Sequence, residues 1–435
     1  MLCVDIGSTF TKACLVSADG ELRGTAEAPT SIETDVMDGV RAAAARLGTA
    51  PDRHTLACSS AGGGLRLAIV GYERQVTAEA AYRVGLSAGA RVVHVAAGRL
   101  DDRSTIALAE AAPDLVLLAG GTDGGNAEVQ RHNGSALAAA RLDVPVVVAG
   151  NVDVREEVVA RLQAAGQPVL AADNVVPQIG VIAPESARAA IRSAFLTHVI
   201  GGKGLSTDPL FEQIVQAPTP DAVLGGVEVL AASLRTDVLV VDIGGATTDV
   251  YSVVTPEGED ATLRREVVAP LWHGRTVEGD LGMRWNADGV VAAAVREGLT
   301  VGLGLGAYAS AGTADPGRLP ASPDEERLDL ELARIAALVA VRRHGRPGSP
   351  GHAPRPLGGV GLVLGSGGVL RHADPGSAAG VMAAVAGDHA GGWRVPRAPR
   401  TGVDTAYLLF AVGLLALTNP TAATRLARQL AAAGG

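Results

Sequence analysis

The sequence predicts an α/β protein in which two similar lobes are accompanied by an inserted domain of alternating strands and helices. Nearly half of its 435 residues are hydrophobic, 56 are glycine and only 3% are aromatic, a composition typical of α/β proteins with tight turns. An apolar strand that ends in Asp-Ile-Gly occurs twice, at Asp5 and at Asp242. The offset between the two copies is too long for a solenoid repeat, so we interpret them as a duplicated lobe.

The N-terminal part of the first lobe is predicted over residues 1–76. It opens with two apolar strands around a Gly-Ser-Thr turn, which is a hairpin pattern. A helix is expected from Asp35 to Leu47, and two further apolar strands flank the glycines Gly62 to Gly64. We therefore assign all these strands to one sheet-rich lobe.

The inserted domain is predicted over residues 77–180. Its strand cores are continuous apolar runs, the pattern of parallel strands that are covered by helices on both faces. Helical segments separate the runs, and this alternation indicates a Rossmann-like α/β domain. The runs are Val92 to Val95, Leu115 to Ala119, Val144 to Ala149 and Pro168 to Ala172.

The rest of the chain is predicted to complete the two lobes. Residues 181–235 form a helical connection that completes the first lobe, and residues 236–404 form the second lobe. Residues 405–435 form a C-terminal helical segment, which begins with a helix over Thr405 to Leu417. The stretch from Arg342 to Gly361 is rich in proline, glycine and basic residues. We predict a surface loop there.

Charge and cysteine content narrow the possible functions. The net charge of −9, the pI near 5.5 and the lack of a Lys/Arg-rich tract argue against nucleic-acid binding and against binding to anionic membranes. Cys3, Cys14 and Cys58 form no CxxC pair, which favours a reducing compartment, so we expect a cytoplasmic protein. We see no secretory signal, and the apolar stretch from Ala406 to Leu417 is shorter than the ~20 residues of a membrane helix.

The first candidate site is the segment DIGSTFTK, which begins at Asp5. A glycine at a strand end lets backbone N–H groups approach phosphate oxygens, and nearby hydroxyls add donors. Asp5 is predicted as a catalytic residue and as a ligand of Mg²⁺ through water, and a lysine can neutralise terminal-phosphate charge. The predicted phosphate-binding residues are Gly7, Ser8, Thr9, Thr11 and Lys12.

The second candidate site is the segment DIGGATTD, which begins at Asp242. Because it repeats the first pattern after another apolar strand, we expect the two loops to hold one polyphosphate from opposite sides. Asp242 is predicted, like Asp5, as a catalytic residue and as a water-mediated Mg²⁺ ligand. The predicted phosphate-binding residues are Gly244, Gly245, Ala246, Thr247 and Thr248.

Two further segments complete the predicted site. The turn Gly365-Ser366-Gly367-Gly368 follows an apolar strand, and its small residues allow adenosine to pack on the backbone. Glu278 and Asp280 flank a glycine after another apolar strand, where either carboxylate can orient water for hydrolysis or reach magnesium. The alternatives are an ordinary glycine-rich turn in the first case and capping or surface acids in the second.

The three glycine-rich turns, in this order, resemble the phosphate-1, phosphate-2 and adenosine motifs of the acetate and sugar kinase, Hsp70 and actin superfamily. More narrowly, the chain resembles the MutL (GlmL) family associated with glutamate mutase, which is unrelated to the mismatch-repair protein of that name. The resemblance covers nearly the whole chain, in the blocks VDIGSTFTKA, CSSAGGGLR, LLAGGTDGGN, VVVAGNVD, VVDIGGATTDV, RTVEGDLGMR and GSGGVL.

This resemblance implies an α/β protein of two actin-like ATPase (ribonuclease H-like) lobes with the Rossmann-like insert. It implies ATP and Mg²⁺ as cofactors and a reactivating or chaperone-like role toward an adenosylcobalamin-dependent mutase, whose subunits would be the partners. Self-association into a homodimer is left open. The chain departs from the family pattern at Gly62 to Gly64 and at the loop from Arg346 to Pro356, which leaves the client open.

Other functions are compatible with the sequence to different degrees. A small-molecule kinase of the same fold and a nucleotide-binding scaffold without turnover stay open. A dehydratase activator with an iron–sulfur cluster is disfavoured because the three cysteines are isolated. The sequence lacks the GxGxxG pattern of a Rossmann dehydrogenase after its strands, and it has no GxxxxGK[ST] phosphate loop.

Two loops of the insert carry polar residues. The loop from Gly120 to Asn126 follows a predicted strand and is either a contact for a nucleotide, cobalamin or partner or a structural turn with local hydrogen bonds. The segment from Gly150 to Asp153 is predicted as a helix cap. A further hypothesis is that the insert docks against, or imitates, the cobalamin-binding subunit of the mutase.

Overall fold

The computed structural model describes residues 1–73, 76–255, 272–346, 354–390 and 396–433. The chain divides into two compact units, Met1–Val223 and Leu224–Gly435. The division falls inside a helix, Thr219–Leu234, slightly before the predicted boundary at residue 235.

Within the described residues, fifteen strands form three five-stranded sheets. The strands are β1 Leu2–Ile6, β2 Phe10–Val16, β3 Leu22–Pro29, β4 Leu56–Ser59, β5 Leu65–Gly71, β6 Ala90–Ala97, β7 Leu115–Leu118, β8 Val146–Val148, β9 Val169–Ala171, β10 Val215–Pro218, β11 Asp237–Ile243, β12 Thr248–Val254, β13 Trp272–Glu278, β14 Val360–Ser366 and β15 Arg400–Val403. The α-helices are α1 Val36–Arg46, α2 Thr77–Ser87, α3 Asp102–Glu110, α4 Glu128–Ala140, α5 Arg155–Ala164, α6 Glu185–Ala194, α7 Pro209–Ile214, α8 Thr219–Leu234, α9 Ala287–Arg296, α10 Leu305–Ala314, α11 Pro323–Gly345, α12 Gly368–His372, α13 Pro375–Ala386, α14 Leu409–Thr418 and α15 Pro420–Ala433.

Each unit contains one mixed sheet, and the two sheets have the same topology. In the first unit the order is β10-β4-β1-β2-β3, and in the second it is β13-β12-β11-β14-β15, which is the same order read from the other edge. In both, three consecutive strands form an antiparallel meander, and two later strands add in parallel beside the first of them. This repetition confirms the prediction of two ribonuclease H-like lobes.

The first unit also contains a fully parallel sheet in the order β6-β5-β7-β8-β9. Its central strands are buried, as expected of continuous apolar runs with helices on both faces, and the alternation predicted for the insert is confirmed. One strand assignment differs. Leu65–Gly71, which the sequence analysis places in the first lobe, pairs with β6 and β7 in the parallel sheet. The sheet therefore begins before residue 77.

The second unit differs from the predictions at two helices. Residues Arg342 to Gly345 are predicted as part of a surface loop, but they form the last turn of α11, and Arg342 and His344 are buried. Residues 347–353 of the predicted loop lie outside the described residues. The predicted helix from Thr405 begins only at Leu409, where the Asp404 carboxylate accepts the backbone N–H groups of Leu408 and Leu409. No helix among the described residues combines the length and the hydropathy needed to cross a membrane.

Candidate functional site

The first hairpin has a tight turn between β1 and β2. The N–H group of Gly7 donates to the carbonyl oxygen of Phe10 at 3.2 Å, and a Cβ atom at Gly7 would lie 2.6 Å from that oxygen. Only glycine fits there. Ser8 and Thr9 follow on the exposed tip of the turn, where their hydroxyl and backbone groups can meet a ligand.

Asp5 lies at the base of this turn and is buried. Its Oδ1 accepts a 2.5 Å hydrogen bond from Thr219 Oγ1 and a weak 3.6 Å contact from Cys58 Sγ. Its cross-strand neighbour Lys12 brings Nζ to 3.8 Å from Oδ2. Burial, reinforced by the charge of Asp5, raises the pKa of the Cys58 thiol well above its usual value. Asp5 is thus a buried carboxylate with hydrogen-bond donors at Oδ1 and an ammonium group facing Oδ2.

Thr219 is a residue that the sequence analysis did not identify. It follows β10, the outer strand of the sheet, and its hydroxyl reaches Asp5 across 214 positions of sequence. A threonine at a helix start ordinarily reads as a cap. No local pattern distinguishes it from such a cap, so only the pairing of β10 with β4 reveals the contact.

The second hairpin repeats the turn between β11 and β12. The N–H group of Gly244 donates to the Thr247 carbonyl oxygen at 2.9 Å, and a Cβ atom at Gly244 would lie 2.8 Å from the same oxygen. Gly245 and Ala246 are exposed at the tip. The tip is braced from behind, because the Gly245 carbonyl oxygen accepts the backbone N–H groups of Arg284 and Trp285 at 2.8 and 3.0 Å.

Two predicted phosphate-binding threonines lie away from the loop tips. Thr11 and Thr248 occupy the same position in the two hairpins, opposite Ile6 and Ile243, and both are fully buried. Thr11 Oγ1 shares a 2.9 Å hydrogen bond with the hydroxyl of Thr30, and Thr248 Oγ1 donates to the Leu281 carbonyl oxygen at 2.6 Å. Because neighbouring side chains on a strand point to opposite faces, these two hydroxyls lie in the interior of their lobes and not at the exposed tips, and their phosphate-binding role stays a prediction.

Asp242 lies directly across the ladder from Asp249, a second acid that the predicted site omits. Asp242 is partly exposed and Asp249 is buried. The Oδ2 atom of Asp249 accepts from Arg275 Nη2 at 2.7 Å and Nε at 3.2 Å, and from Tyr251 Oη at 3.3 Å. The structure therefore places two carboxylates side by side at the second loop.

The predicted adenosine turn is next to this loop. Ser366 is the register partner of Asp242 on the adjacent strand. Gly367 has φ +107°, and a Cβ atom there would lie 2.2 Å from the Ile243 carbonyl oxygen, so this glycine lets the turn touch the end of β11. Gly365 and Ser366 are buried, whereas Gly368 is exposed. The exposed part of the turn thus begins at Gly368.

A third acid belongs to the same region. Asp404 follows β15, is fully buried, and accepts from the N–H groups of Leu408 and Leu409 at 2.7 and 3.1 Å. Burial raises its pKa to about 6, and the charge of Asp242 acts in the same direction. Asp404 occupies, after the fifth strand of its sheet, the position that Thr219 occupies after β10 of the first sheet.

Glu278 and Asp280 both contact Arg343. Arg343 Nη1 lies 2.7 Å from Glu278 Oε2 and 2.6 Å from Asp280 Oδ1, and Nη2 lies 3.0 Å from Asp280 Oδ2. Burial raises the pKa of Glu278, whereas the hydrogen bonds from Arg343 lower the pKa of Asp280. Both acids are engaged in ion pairs with Arg343. Their catalytic role stays a prediction.

Among the described residues, no group of three His, Cys, Asp or Glu side chains could hold a metal ion directly. Mg²⁺ needs only one or two carboxylates when it keeps its waters. Asp242 and Asp249 place two carboxylates side by side, whereas the oxygens of Asp5 face a hydroxyl, a thiol and an ammonium group.

The polar loops of the insert bind mainly one another. Asp123 Oδ1 accepts from the Val152 N–H at 3.0 Å and from Asn174 Nδ2 at 2.8 Å, which favours the structural interpretation of the loop from Gly120 to Asn126. Asn151 caps the following turn by accepting from the Asp153 N–H at 2.8 Å. The predicted cap is confirmed.

Comparisons with known proteins identify the family. The profile described as "MutL protein" matches residues 1–430. The chain is 34% identical, over 463 aligned residues, to "Protein MutL" of Clostridium tetanomorphum, and the alignment covers 98% of each chain.

Solved structures are more distant. An acetone carboxylase structure is 12% identical, with 95% of this chain and 70% of that chain covered and a TM-score of 0.37. An activator of 2-hydroxyisocaproyl-CoA dehydratase from Clostridium difficile with bound ADPNP is 10% identical, with 99% and 96% covered and a TM-score of 0.31. These scores are too low to say anything about function. The match over nearly the full length of both sequences shows that the chain belongs to the MutL protein family.

Proposed function

We propose that this chain binds ATP and hydrolyses it in order to reactivate or remodel an adenosylcobalamin-dependent mutase of the glutamate mutase type. The observation that supports ATP binding is the repetition of one hairpin in two sheets of identical topology. Each hairpin has an aspartate at the strand end, a glycine that closes the turn and an exposed tip of small or hydroxyl residues. Such turns present backbone N–H groups to phosphate.

Different residues are proposed to bind the phosphates, the magnesium ion and the adenosine of ATP. The tips at Ser8–Thr9 and Gly245–Ala246 are proposed to bind phosphate oxygens, and Lys12 to neutralise terminal-phosphate charge. Magnesium, when bound, would offset the charge of the phosphates; Asp242 is the proposed ligand through water. The turn that ends at Gly368 is proposed to bind adenosine, because it touches the second loop directly.

The mutase role has a different basis. It follows from membership of the MutL family and from the association with glutamate mutase that the motif resemblance implies. Mutase subunits are accordingly the proposed partners, and hydrolysis is proposed to drive the change that releases damaged cofactor from them.

The test uses the full chain, with ATP binding measured by calorimetry and hydrolysis measured with and without a cobalamin-inactivated mutase. Asp242→Ala and Asp5→Ala should each weaken ATP binding or abolish hydrolysis. Asp143→Ala is the control, because Asp143 is an exposed acid at the turn before β8, and it should behave as the wild type.

The outcomes separate the alternatives. Binding that survives both substitutions, with no hydrolysis under any condition, would contradict the proposal. Binding without turnover that depends on Asp5 and Asp242 would favour a nucleotide-dependent scaffold. Transfer of phosphate to a sugar or small acid instead of water would favour a small-molecule kinase.

A further inference from the structure

Among the described residues of the second unit, three arginine–aspartate pairs have low exposure, and one of them is built differently. Arg342 binds both oxygens of Asp388, with Nε 2.6 Å from Oδ2 and Nη2 2.9 Å from Oδ1. Arg284 likewise binds both oxygens of Asp329, at 2.7 and 3.0 Å. These two pairs have the fork-to-fork geometry that gives the strongest ion pairs.

Arg275 binds Asp249 through a single oxygen. Its Nη2 and Nε atoms both point to Oδ2, at 2.7 and 3.2 Å, and the Tyr251 hydroxyl adds a third contact to the same atom at 3.3 Å. The guanidinium group also lies over the Tyr251 ring, 5.7 Å from its centre. Three donor groups therefore converge on one carboxylate oxygen and hold the side chain of Asp249 in place.

The other oxygen has no partner. Within the part of the chain that the structure describes, Asp249 Oδ1 is buried and accepts no hydrogen bond, and Arg275 Nη1 is a buried donor without an acceptor. A buried polar atom without a partner carries a free-energy cost for the folded state. The fork-to-fork geometry of the neighbouring pairs would avoid this cost, so the one-sided geometry calls for a functional explanation.

The location of Asp249 Oδ1 supplies a functional explanation. Asp249 is the direct cross-strand neighbour of Asp242, at the base of the second loop. An acceptor fixed beside a phosphate loop can orient a water molecule without any change in its own protonation.

We propose that Arg275 is a positioning residue, which holds Oδ2 of Asp249 so that Oδ1 stays available to the water that attacks the terminal phosphate of ATP. In that step the water oxygen forms a bond to phosphorus, the bond from phosphorus to the bridging oxygen of ADP breaks, and both protons of the water leave with the released dihydrogen phosphate. Asp249 and Arg275 are unchanged at the end. This inference rests on the proposed ATPase function.

The test compares two arginines of nearly equal burial. Arg275 and Asp249 are 6% and 11% exposed, and Arg342 and Asp388 are 5% and 11% exposed. Arg275→Gln should lower kcat for ATP hydrolysis at least about tenfold and leave the Kd for ATP within about threefold. Arg342→Gln should destabilise the fold to a similar degree, measured by urea denaturation, with kcat unchanged.

Lysine variants test whether a single donor can replace each arginine. A lysine can serve a single oxygen but cannot reproduce a fork, so Arg275→Lys should restore part of kcat, while Arg342→Lys should restore little stability. If Arg275→Gln does not fold, Tyr251→Phe removes only one donor to Oδ2 and should lower kcat about twofold to fivefold without changing the Kd.

Several results would overturn the inference. Unchanged kcat in a folded Arg275→Gln variant, or an equal loss in Arg342→Gln, contradicts it while the ATPase function stands. Unchanged kcat in Tyr251→Phe contradicts it when the glutamine variant cannot be measured. A wild-type chain that neither binds nor hydrolyses ATP contradicts the proposed function itself.

Discussion

Lys12 and Asp249 occupy the same position in two hairpins of identical topology, each directly across the ladder from the aspartate that begins the turn. One side chain is a cation and the other an anion. The two hairpins therefore share the backbone of the loop and differ in the charge at this position. A cation beside one loop suits phosphate, whereas a pair of acids beside the other suits water or a hydrated metal ion.

Lys12 should contribute to the binding of ATP more than to that of AMP. A hydrogen bond to a charged group contributes about 1.5–3 kcal/mol. Because Lys12→Gln removes the charge, the Kd for ATP should rise at least about tenfold while the Kd for AMP changes little. Calorimetry with both nucleotides measures this. Lys12→Arg keeps the charge and should stay close to the wild type; equal losses for ATP and AMP would refute the assignment.

The loops themselves could be predicted from the sequence because they depend on local patterns. An apolar run, an Asp-Ile-Gly turn and a second apolar run specify a hairpin within about a dozen residues, as hairpin signals generally do. The burial of Thr11 could also have been predicted. The strand period of two places Thr11 on the face opposite Lys12, and its neighbours there are core residues.

The contacts around the aspartates could not be predicted in this way. Thr219 reaches Asp5 across 214 positions, and Arg343 reaches Glu278 across 65. Such pairs depend on strand order and helix packing, which no local pattern encodes. The placement of Leu65–Gly71 failed for the same reason, because a short apolar run reads alike in either sheet until its partners are known.

The second loop offers a matched pair of glycines for a stability test. A Cβ atom at Gly244 would lie 2.8 Å from a backbone oxygen, whereas one at Gly245 finds its nearest neighbour at 3.8 Å. Gly244→Ala should therefore lower the unfolding free energy by about 1–3 kcal/mol. Gly245→Ala should change it by less than about 0.5 kcal/mol. Thermal unfolding measures both, and equal shifts would show that the turn relaxes freely.

Arg343 should matter more for stability than Arg296, although both contact Asp280. The Arg343 side chain is 22% exposed and also binds Glu278, whereas that of Arg296 is 60% exposed. Arg343→Gln removes the cation that Glu278 and Asp280 share and should cost about 1–3 kcal/mol. Arg296→Gln should cost less than about 0.5 kcal/mol, as expected of an exposed pair. Urea denaturation measures the loss of unfolding free energy in the two variants, and similar losses would contradict this prediction.

The predicted catalytic role of Glu278 and Asp280 has a separate readout. If either acid orients water, Glu278→Gln or Asp280→Asn should lower kcat for ATP hydrolysis about tenfold or more, with the Kd for ATP unchanged. If the acids only anchor Arg343, the same variants should lower stability and leave kcat as in the wild type. Steady-state kinetics together with urea denaturation separate these results.

Asp404 should make the stability of the chain depend on pH in an unusual direction. Burial raises its pKa to about 6 from an ordinary value of 3.8, so the folded protein binds a proton that the unfolded chain has already lost. The stabilisation is complete below about pH 4 and disappears as the pH rises through 6, a loss of about 2–3 kcal/mol for a shift of some two pH units.

Asp404→Asn removes this titration and keeps one oxygen to accept from the N–H groups of Leu408 and Leu409. Urea denaturation of both proteins from pH 4 to pH 7 should show the wild type losing stability relative to the variant across that range, since only the wild type must ionise a buried carboxyl group. Comparing the two proteins cancels all other titrating groups. A difference that stays constant with pH would mean that Asp404 is already ionised in the folded protein at pH 4, and that the two backbone donors outweigh its burial.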